Sequence, residues 1–320
     1  MVRVWFRFRS RLHAARIGKI STGSTPGVQV KGDGMQWRGR KQSSNIEDRR
    51  SVGGGAAKAG GVGGVGVIVV VLIALFLGVD PSQLLGPGGM DSPSASGAPV
   101  ELTAADKAEG EFVSVVLADT EVIWTRVFKA QLGRTYRPAT LVLFKDGTKS
   151  ACGGASEATG PFYCPADRKV YLDTAFFTTL HQRLGAGGDF AAAYVVAHEI
   201  GHHIQNELGI LGQANEARAQ SSEADSNAIS VMVELQADCL SGIWAREAAD
   251  QLGVVDKGDL EEAVNAARQI GDDTLQRNAG QRPMPHTFTH GTSEQRSRWF
   301  LIGLKSGQME DCDTFSATDL

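Results

Sequence analysis

Apolar positions divide the chain into one long uncharged stretch and a C-terminal body with helical spacing. Residues 59–79 carry no charge, and 13 of the 18 residues from 62 to 79 are Val, Ile, Leu or Phe. A helix of that length spans ~30 Å, the thickness of the hydrocarbon layer of a bilayer. The pattern therefore predicts one transmembrane helix over residues 59–79. A buried core helix or strand is the alternative.

Charge is distributed unevenly on the two sides of this stretch. Residues 1–58 contain 13 Lys and Arg against 3 Asp and Glu, whereas residues 59–320 contain 19 against 33. The positive-inside rule places the basic side in the cytoplasm and the acidic body outside. A cleaved signal peptide is the rival interpretation, but the exit from the stretch lacks a small-residue cleavage pattern. We predict an uncleaved single-pass anchor.

The first 58 residues are interpreted as a basic, disordered cytoplasmic arm. A basic arm can indicate nucleic-acid binding. This arm adjoins the predicted span and has no recognition motif, so we predict no nucleic-acid partner. Residues 1–34 could also be an extension from a mis-assigned start, since Met35 could begin the chain.

The rest of the chain is predicted to form one domain after a linker. Residues 80–100 are rich in Pro, Gly and Ser, as in flexible tethers. Thr103 begins a T-x-x-D capping pattern, and the residues after it have helical spacing. Residues 139–144 read as a strand and 161–173 as a hairpin. We predict an α+β domain over residues 101–320, mainly helical with a small sheet.

Four cysteines follow the predicted span and none precedes it. An even number of cysteines in an oxidising compartment favours disulfides. Four cysteines permit three connectivities, of which we favour Cys152–Cys164 with Cys239–Cys312. A zinc site on cysteine is disfavoured because there is no C-x-x-C. Buried free thiols remain the alternative.

The stretch VVAHEIGHHIQ at 195–205 contains H-E-x-x-H. On a helix, His198 and His202 leave the same face one turn apart, as two nitrogen ligands of a tetrahedral Zn²⁺ require. Glu199 lies beside the open position of the metal, where it can take a proton from an activated water. The alternative is a helix whose histidines serve no metal. His203 lies off this face and is assigned a structural role.

A catalytic zinc needs a third protein ligand. The apolar, helical stretch VELQADCLSGIWA places Glu234 and Asp238 four residues apart on one face. We predict that Glu234 binds zinc and that Asp238 accepts the N–H of a ligand histidine. Other candidate ligands remain open: Glu223, Asp225, His286 and His290.

Two segments are candidates for contact with a substrate. His290 lies in a loop before a helix and could donate a hydrogen bond to an oxyanion, or could simply hold the helix N-terminus. Residues 169–172 form a strand that could offer an edge to an extended peptide.

Several segments together resemble the bacterial membrane-anchored neutral zinc metallopeptidase family. They are MQWRGRKQSSNIEDRR, GPFYCPADRKVYLDTAFF, AYVVAHEIGHHIQNELG, ELQADCLSGIWA and FTHGTSEQRSRWFLIG, and they extend from Met35 nearly to the end. The resemblance implies a zincin-like fold with H-E-x-x-H and a downstream glutamate ligand, and a usual start at Met35. THGTSEQR is more distantly similar to a segment of the heat-shock and prenyl-protein membrane zinc proteases. In those proteases the corresponding segment approaches the substrate.

These observations predict a zinc-dependent endopeptidase with one Zn²⁺ per chain. Its site would consist of the ligands His198, His202 and Glu234, the base Glu199, and His290. Its partners would be a peptide or protein substrate and, through residues 59–79, the bacterial inner membrane, with the catalytic domain periplasmic or extracellular. A zinc amidase acting on cell-wall peptides is one alternative. A non-catalytic, membrane-tethered zinc-binding or chaperone-like protein is the other, although Glu199 argues against it.

Overall fold

Helices form most of the protein in a computed structural model that describes residues 34–51, 101–156, 160–182, 184–256 and 258–320. The helices are α1 (Ala104–Val127), α2 (Ala175–Gln182), α3 (Asp189–Glu207), α4 (Ile210–Ala219), α5 (Glu223–Glu247), α6 (Asp259–Gln269), α7 (Asp272–Asn278) and α8 (Ser293–Ser306). Thr103 caps α1 in a capping box with Asp106, which confirms the helix start predicted there.

The strands form one four-stranded sheet and a separate hairpin. They are β1 (Ile46–Asp48), β2 (Thr140–Phe144), β3 (Gly147–Ser150), β4 (Gly153–Ser156), β5 (Phe162–Cys164) and β6 (Lys169–Asp173). The sheet order is β1-β2-β6-β5, in which β1, β2 and β6 are parallel and β5 is antiparallel to β6. The predicted strand at 139–144 and the hairpin at 161–173 are confirmed, and the α+β class holds.

The sheet does not leave β6 at an edge. Strand β6 is hydrogen-bonded to β2 on one side and to β5 on the other. The prediction that residues 169–172 offer an edge to a peptide is therefore wrong. A single strand shows its residue pattern but not its neighbours, and β1 and β5 hold the two edges of this sheet.

Small residues allow the three central helices to approach closely. A Cβ built on Gly201 of α3 would lie 3.0 Å from the backbone oxygen of Ala237 in α5. One built on Gly303 of α8 would lie 1.9 Å from the backbone oxygen of Cys239. Helix α5 therefore packs between α3 and α8 at backbone distance, which brings side chains of all three helices into one buried region.

Both predicted disulfides are present. Cys152–Cys164 joins the β3–β4 hairpin region to β5, and Cys239–Cys312 joins α5 to the short 3₁₀ turn at Met309–Cys312. Each closes a loop of the chain and so reduces the entropy of the unfolded state.

Residues 34–51 are part of the folded domain. Strand β1 pairs with β2, and Met35 and Trp37 are buried in the main hydrophobic core. The prediction of a disordered arm over residues 1–58 is wrong for this segment, and the domain predicted over 101–320 must be extended to include it. Apolar side chains spaced along a short basic segment give no periodicity, so only packing reveals their role.

The predicted span at 59–79 and linker at 80–100 lie outside the described residues, as do residues 1–33. Within the part of the chain that is described, no helix has both the length and the apolar character needed to cross a bilayer.

Candidate metal centre

Helix α3 presents His198 and His202 on one face. The two imidazole centroids lie 4.8 Å apart with the rings nearly perpendicular. Most of the helix is buried, including His198 and Glu199, while His202 is partly exposed. The i, i+4 spacing thus places two nitrogen donors at the border between core and solvent, as the sequence predicts.

Glu234 of α5 completes a group of three donors. Its Oε2 lies 3.1 Å from Nε2 of His198, and its Oε1 lies 3.5 Å from Nε2 of His202. One ligand atom from each of the three residues lies within 4.8 Å of the others. Other ligand candidates from the sequence, Glu223, Asp225 and His286, are exposed. The helix packing therefore selects Glu234.

This donor set fits a zinc ion. Ligands at ~2.0–2.2 Å from a tetrahedral Zn²⁺ lie roughly 3.3–3.5 Å from each other, close to the 3.1 and 3.5 Å measured from His198 and His202 to Glu234. The adjacent Glu199 carboxylate is buried, and its Oε2 has no hydrogen-bond partner among the described residues. A buried carboxylate oxygen without a donor is costly unless something else binds there. Two imidazoles and one carboxylate beside it are typical of a catalytic zinc site.

Burial also raises the pKa of Glu199 above its usual range, and the neighbouring histidines offset only part of this effect. A carboxylate with a raised pKa accepts a proton more readily at neutral pH. Glu199 is thus better suited to act as a base than an exposed glutamate.

Asp238, one turn after Glu234 in α5, orients His198. Its Oδ1 lies 2.9 Å from Nδ1 of His198 and also accepts a hydrogen bond from the Tyr194 hydroxyl. Arg296 of α8 donates to both carboxylate oxygens, from Nε at 2.9 Å and from Nη2 at 3.0 Å. Because the carboxylate accepts from Nδ1 of His198, Nε2 of that ring faces Glu234 and is the nitrogen that would bind a metal.

A relay of two amides orients His202. Its Nδ1 lies 2.8 Å from Oε1 of Gln205, whose Nε2 donates to the backbone oxygen of Val233 at 2.7 Å and to Oε1 of Gln236 at 3.1 Å. Nε2 of Gln236 donates to the backbone oxygen of Cys312 at 2.9 Å. Backbone carbonyls only accept, so both amide nitrogens must face them. The oxygen of Gln205 is then left to accept from His202, which fixes the proton on Nδ1 and frees Nε2.

His290 lies in the loop before α8 and is held by Asp272. Its backbone N–H donates to Oδ2 of Asp272 at 2.7 Å, and its Nδ1 lies 3.2 Å from Oδ1 of the same carboxylate. Burial by itself would lower the pKa of His290. The carboxylates of Asp272 and Glu234 raise it by a larger amount, so the pKa lies above its usual value. The structure thus brings His290 close enough to Glu234 for their charges to interact. With Nδ1 facing Asp272, Nε2 donates only when the ring carries both protons, the form that the raised pKa favours.

His203 has the structural role expected from its position. Its ring is buried, with Nδ1 3.2 Å from the hydroxyl of Tyr163 and Nε2 2.7 Å from the backbone oxygen of Arg137. It fastens α3 to strand β5 and to the chain before β2.

Four supporting residues escaped the sequence analysis: Tyr194, Gln205, Gln236 and Arg296. A signal existed for Gln205, because a polar residue three positions after His202 on an apolar helix needs a partner. Gln236 gave no comparable signal, since its partners lie on other segments. Arg296 ends the THGTSEQR segment noted in the sequence, but that similarity pointed to the substrate and not to its buried pair with Asp238.

Comparisons with known proteins show the family of this chain. The family described as "Putative neutral zinc metallopeptidase" matches residues 35–315. The uncharacterized protein YpfJ of Escherichia coli K12 is 43% identical over 290 residues, which cover 88% of this chain and 99% of that protein. The uncharacterized protein Rv2575 of Mycobacterium tuberculosis H37Rv is 40% identical over 259 residues, covering 77% and 86%. No solved structure matches significantly. The chain belongs to the neutral zinc metallopeptidase family.

Proposed function

We propose that this protein is a zinc-dependent endopeptidase. The observation that carries the proposal is the position of Glu199, a buried carboxylate next to the three-donor group of His198, His202 and Glu234. Its Oε2 has no hydrogen-bond partner in the part of the chain that the structure describes. A purely structural zinc site closes its fourth position with another ligand and has no use for a base.

Each residue then has a definite task in hydrolysis. A bound zinc ion supplies a Lewis acid that polarises the substrate carbonyl and lowers the pKa of water. Glu199 takes a proton from the attacking water while the oxygen of that water bonds to the carbonyl carbon of the substrate. The same carboxyl group returns that proton to the leaving nitrogen as the C–N bond breaks, giving a carboxylic acid and an amine, which ionise to carboxylate and ammonium at neutral pH.

His290 is proposed as a donor to the oxyanion that forms on the carbonyl oxygen. Its Nδ1 is engaged by Asp272, so Nε2 of the protonated, positively charged ring is the N–H available for this purpose. A donor held in place before reaction needs no reorganisation as charge develops. Asp238 and the Gln205–Gln236 relay act only through the histidines that they orient.

The site is proposed to work outside the cytoplasm. Both disulfides support this placement, because such bonds persist in oxidising compartments and are rare in the cytosol. We also propose that the apolar residues 59–79 attach the protein to a membrane.

The proposal is tested by metal analysis and proteolysis with the purified full chain in detergent. We expect one zinc per chain and cleavage of casein that stops after chelation and returns with added zinc. Release of peptides from purified cell wall without casein cleavage would replace the peptidase with an amidase. One zinc per chain without either activity would indicate a binding protein instead.

Breaking the amide relay should weaken zinc binding without touching a ligand. Gln205→Leu removes the acceptor for Nδ1 of His202, so the ring can turn away from the metal. We expect the zinc Kd to rise ~10–100-fold, as for other residues that support metal ligands. Competition with a chromophoric chelator measures this.

The matched control for this variant is Gln213→Leu, an identical change at an exposed position of α4, which should leave the zinc Kd unchanged. An unaltered Kd in Gln205→Leu would show that the relay does not position His202.

A further inference from the structure

The basic segment 35–51 is packed against the body as an integral part of it. Trp37 is 6% exposed, its ring lies edge-on to Phe112 at 5.5 Å, and its Nε1 donates to the Asp189 carboxylate at 2.7 Å. Asp189 is the first residue of α3, the helix that carries the histidines. The segment therefore supports the N-terminal end of the active helix directly.

Two arginines of this segment satisfy polar groups that the body buries. Arg40 forms a bidentate ion pair with Asp119 of α1, at 2.6 and 2.7 Å, and Asp119 is only 4% exposed. Arg50 is also 4% exposed and donates to the backbone oxygen of Asp106 and to Asp48. Its guanidinium occupies the space that a side chain would need at Gly110. Arg40 thus supplies the cation that a buried carboxylate such as Asp119 needs.

Backbone pairing joins the segment to the sheet as well. Strand β1 runs parallel to β2 with Ile46 opposite Leu141, and the N–H of Leu141 donates to the backbone oxygen of Asn45 at 2.9 Å. Lys169 of β6 reaches across to form an ion pair with Glu47. Buried side chains, paired charges and ladder hydrogen bonds thus hold the segment at several independent points.

These contacts require the segment and the body to share one aqueous compartment. The charge rule places the basic segment in the cytoplasm and the body outside, on opposite sides of a span at 59–79. Two parts on opposite sides of a membrane cannot be in contact, so this placement conflicts with the observed packing. Contact between the segment of one copy and the body of another copy in the same orientation is excluded for the same reason. We propose that residues 35–51 and 101–320 fold as one unit on a single face of the membrane. The chain between residues 51 and 101 then begins and ends on that face.

The orientation is tested with the full chain in bacterial cells. One epitope tag is inserted between residues 33 and 34 and a different one after residue 320. Spheroplasts are treated with an impermeant protease before and after lysis. We expect both tags to be digested together or protected together. One digested and one protected tag would overturn the proposal, and neither result depends on whether the protein is a peptidase.

A charge exchange tests the packing itself. Arg40→Glu and Asp119→Arg should each lower the Tm of the purified full chain, by roughly 5 °C for a chain of this size. The double variant R40E/D119R should recover more than half of that loss, because it restores the pair in reverse. The control is Lys41→Glu, the same charge change at an exposed neighbour, which should leave the Tm unchanged. Single variants as stable as the parent would contradict the packing.

Discussion

Glu199→Gln is expected to reduce kcat/KM for peptide hydrolysis by ~10²–10⁴-fold, the range that a positioned general base contributes. Glutamine has the shape of glutamate but cannot accept a proton from water at neutral pH. The three-donor group of His198, His202 and Glu234 does not include Glu199, so the variant should keep one zinc per chain. It should also fold normally, because the neutral amide costs less to bury than a carboxylate without a donor.

The measurement pairs steady-state kinetics with metal analysis on the same preparations. Glu216→Gln, the same change on the exposed surface of α4, is the control and should retain full activity. Full activity in Glu199→Gln would remove the residue from the mechanism. Loss of zinc together with activity would make it a structural support of the site instead of its base.

Arg296→Met is expected to lower the free energy of unfolding by ~3–5 kcal/mol, the cost of removing one partner of a buried ion pair. Arg296 is 2% exposed and Asp238 is fully buried, and the arginine donates to both oxygens of that carboxylate. A histidine that binds zinc is a neutral ligand, so His198 does not neutralise Asp238 in the zinc-bound protein. Without Arg296, the buried Asp238 carboxylate therefore has only neutral hydrogen-bond donors. Denaturant unfolding of the purified protein measures the change.

Two further variants separate this effect from simple loss of an arginine. Arg298→Met, two residues along α8, removes an ion pair with Asp319, whose side chain is 83% exposed. This variant should lower the free energy of unfolding by less than about 1 kcal/mol. Adding Asp238→Asn to Arg296→Met removes the uncompensated charge and should recover part of the stability. Arg296→Met with parental stability would mean that the buried pair contributes nothing to the fold.

The local chemistry of the site could be read from the sequence because helix geometry fixes it. The spacing of His198 and His202 determines a shared face whatever surrounds the helix, and Glu199 follows by one residue. The third ligand required a weaker argument: Glu234 and Asp238 stand one turn apart on an apolar helix, and two buried carboxylates need a purpose. The structure places both beside His198.

Contacts between distant segments could not be read in this way. Gln236 meets the backbone of Cys312, Arg296 meets Asp238, and strand β1 joins β2 more than ninety residues later. None of these pairs has a periodic pattern that marks it, since each depends on how closely the helices and strands pack.

The sequence by itself thus determined that the two histidines share a face and that Glu199, the predicted base, lies beside them, because residues within one helical turn are neighbours in any fold. Only the tertiary structure decided which carboxylate joins the histidines and what orients each imidazole. It also decided that residues 35–51 belong with the body, because burial and pairing across the chain outweigh the charge pattern along it.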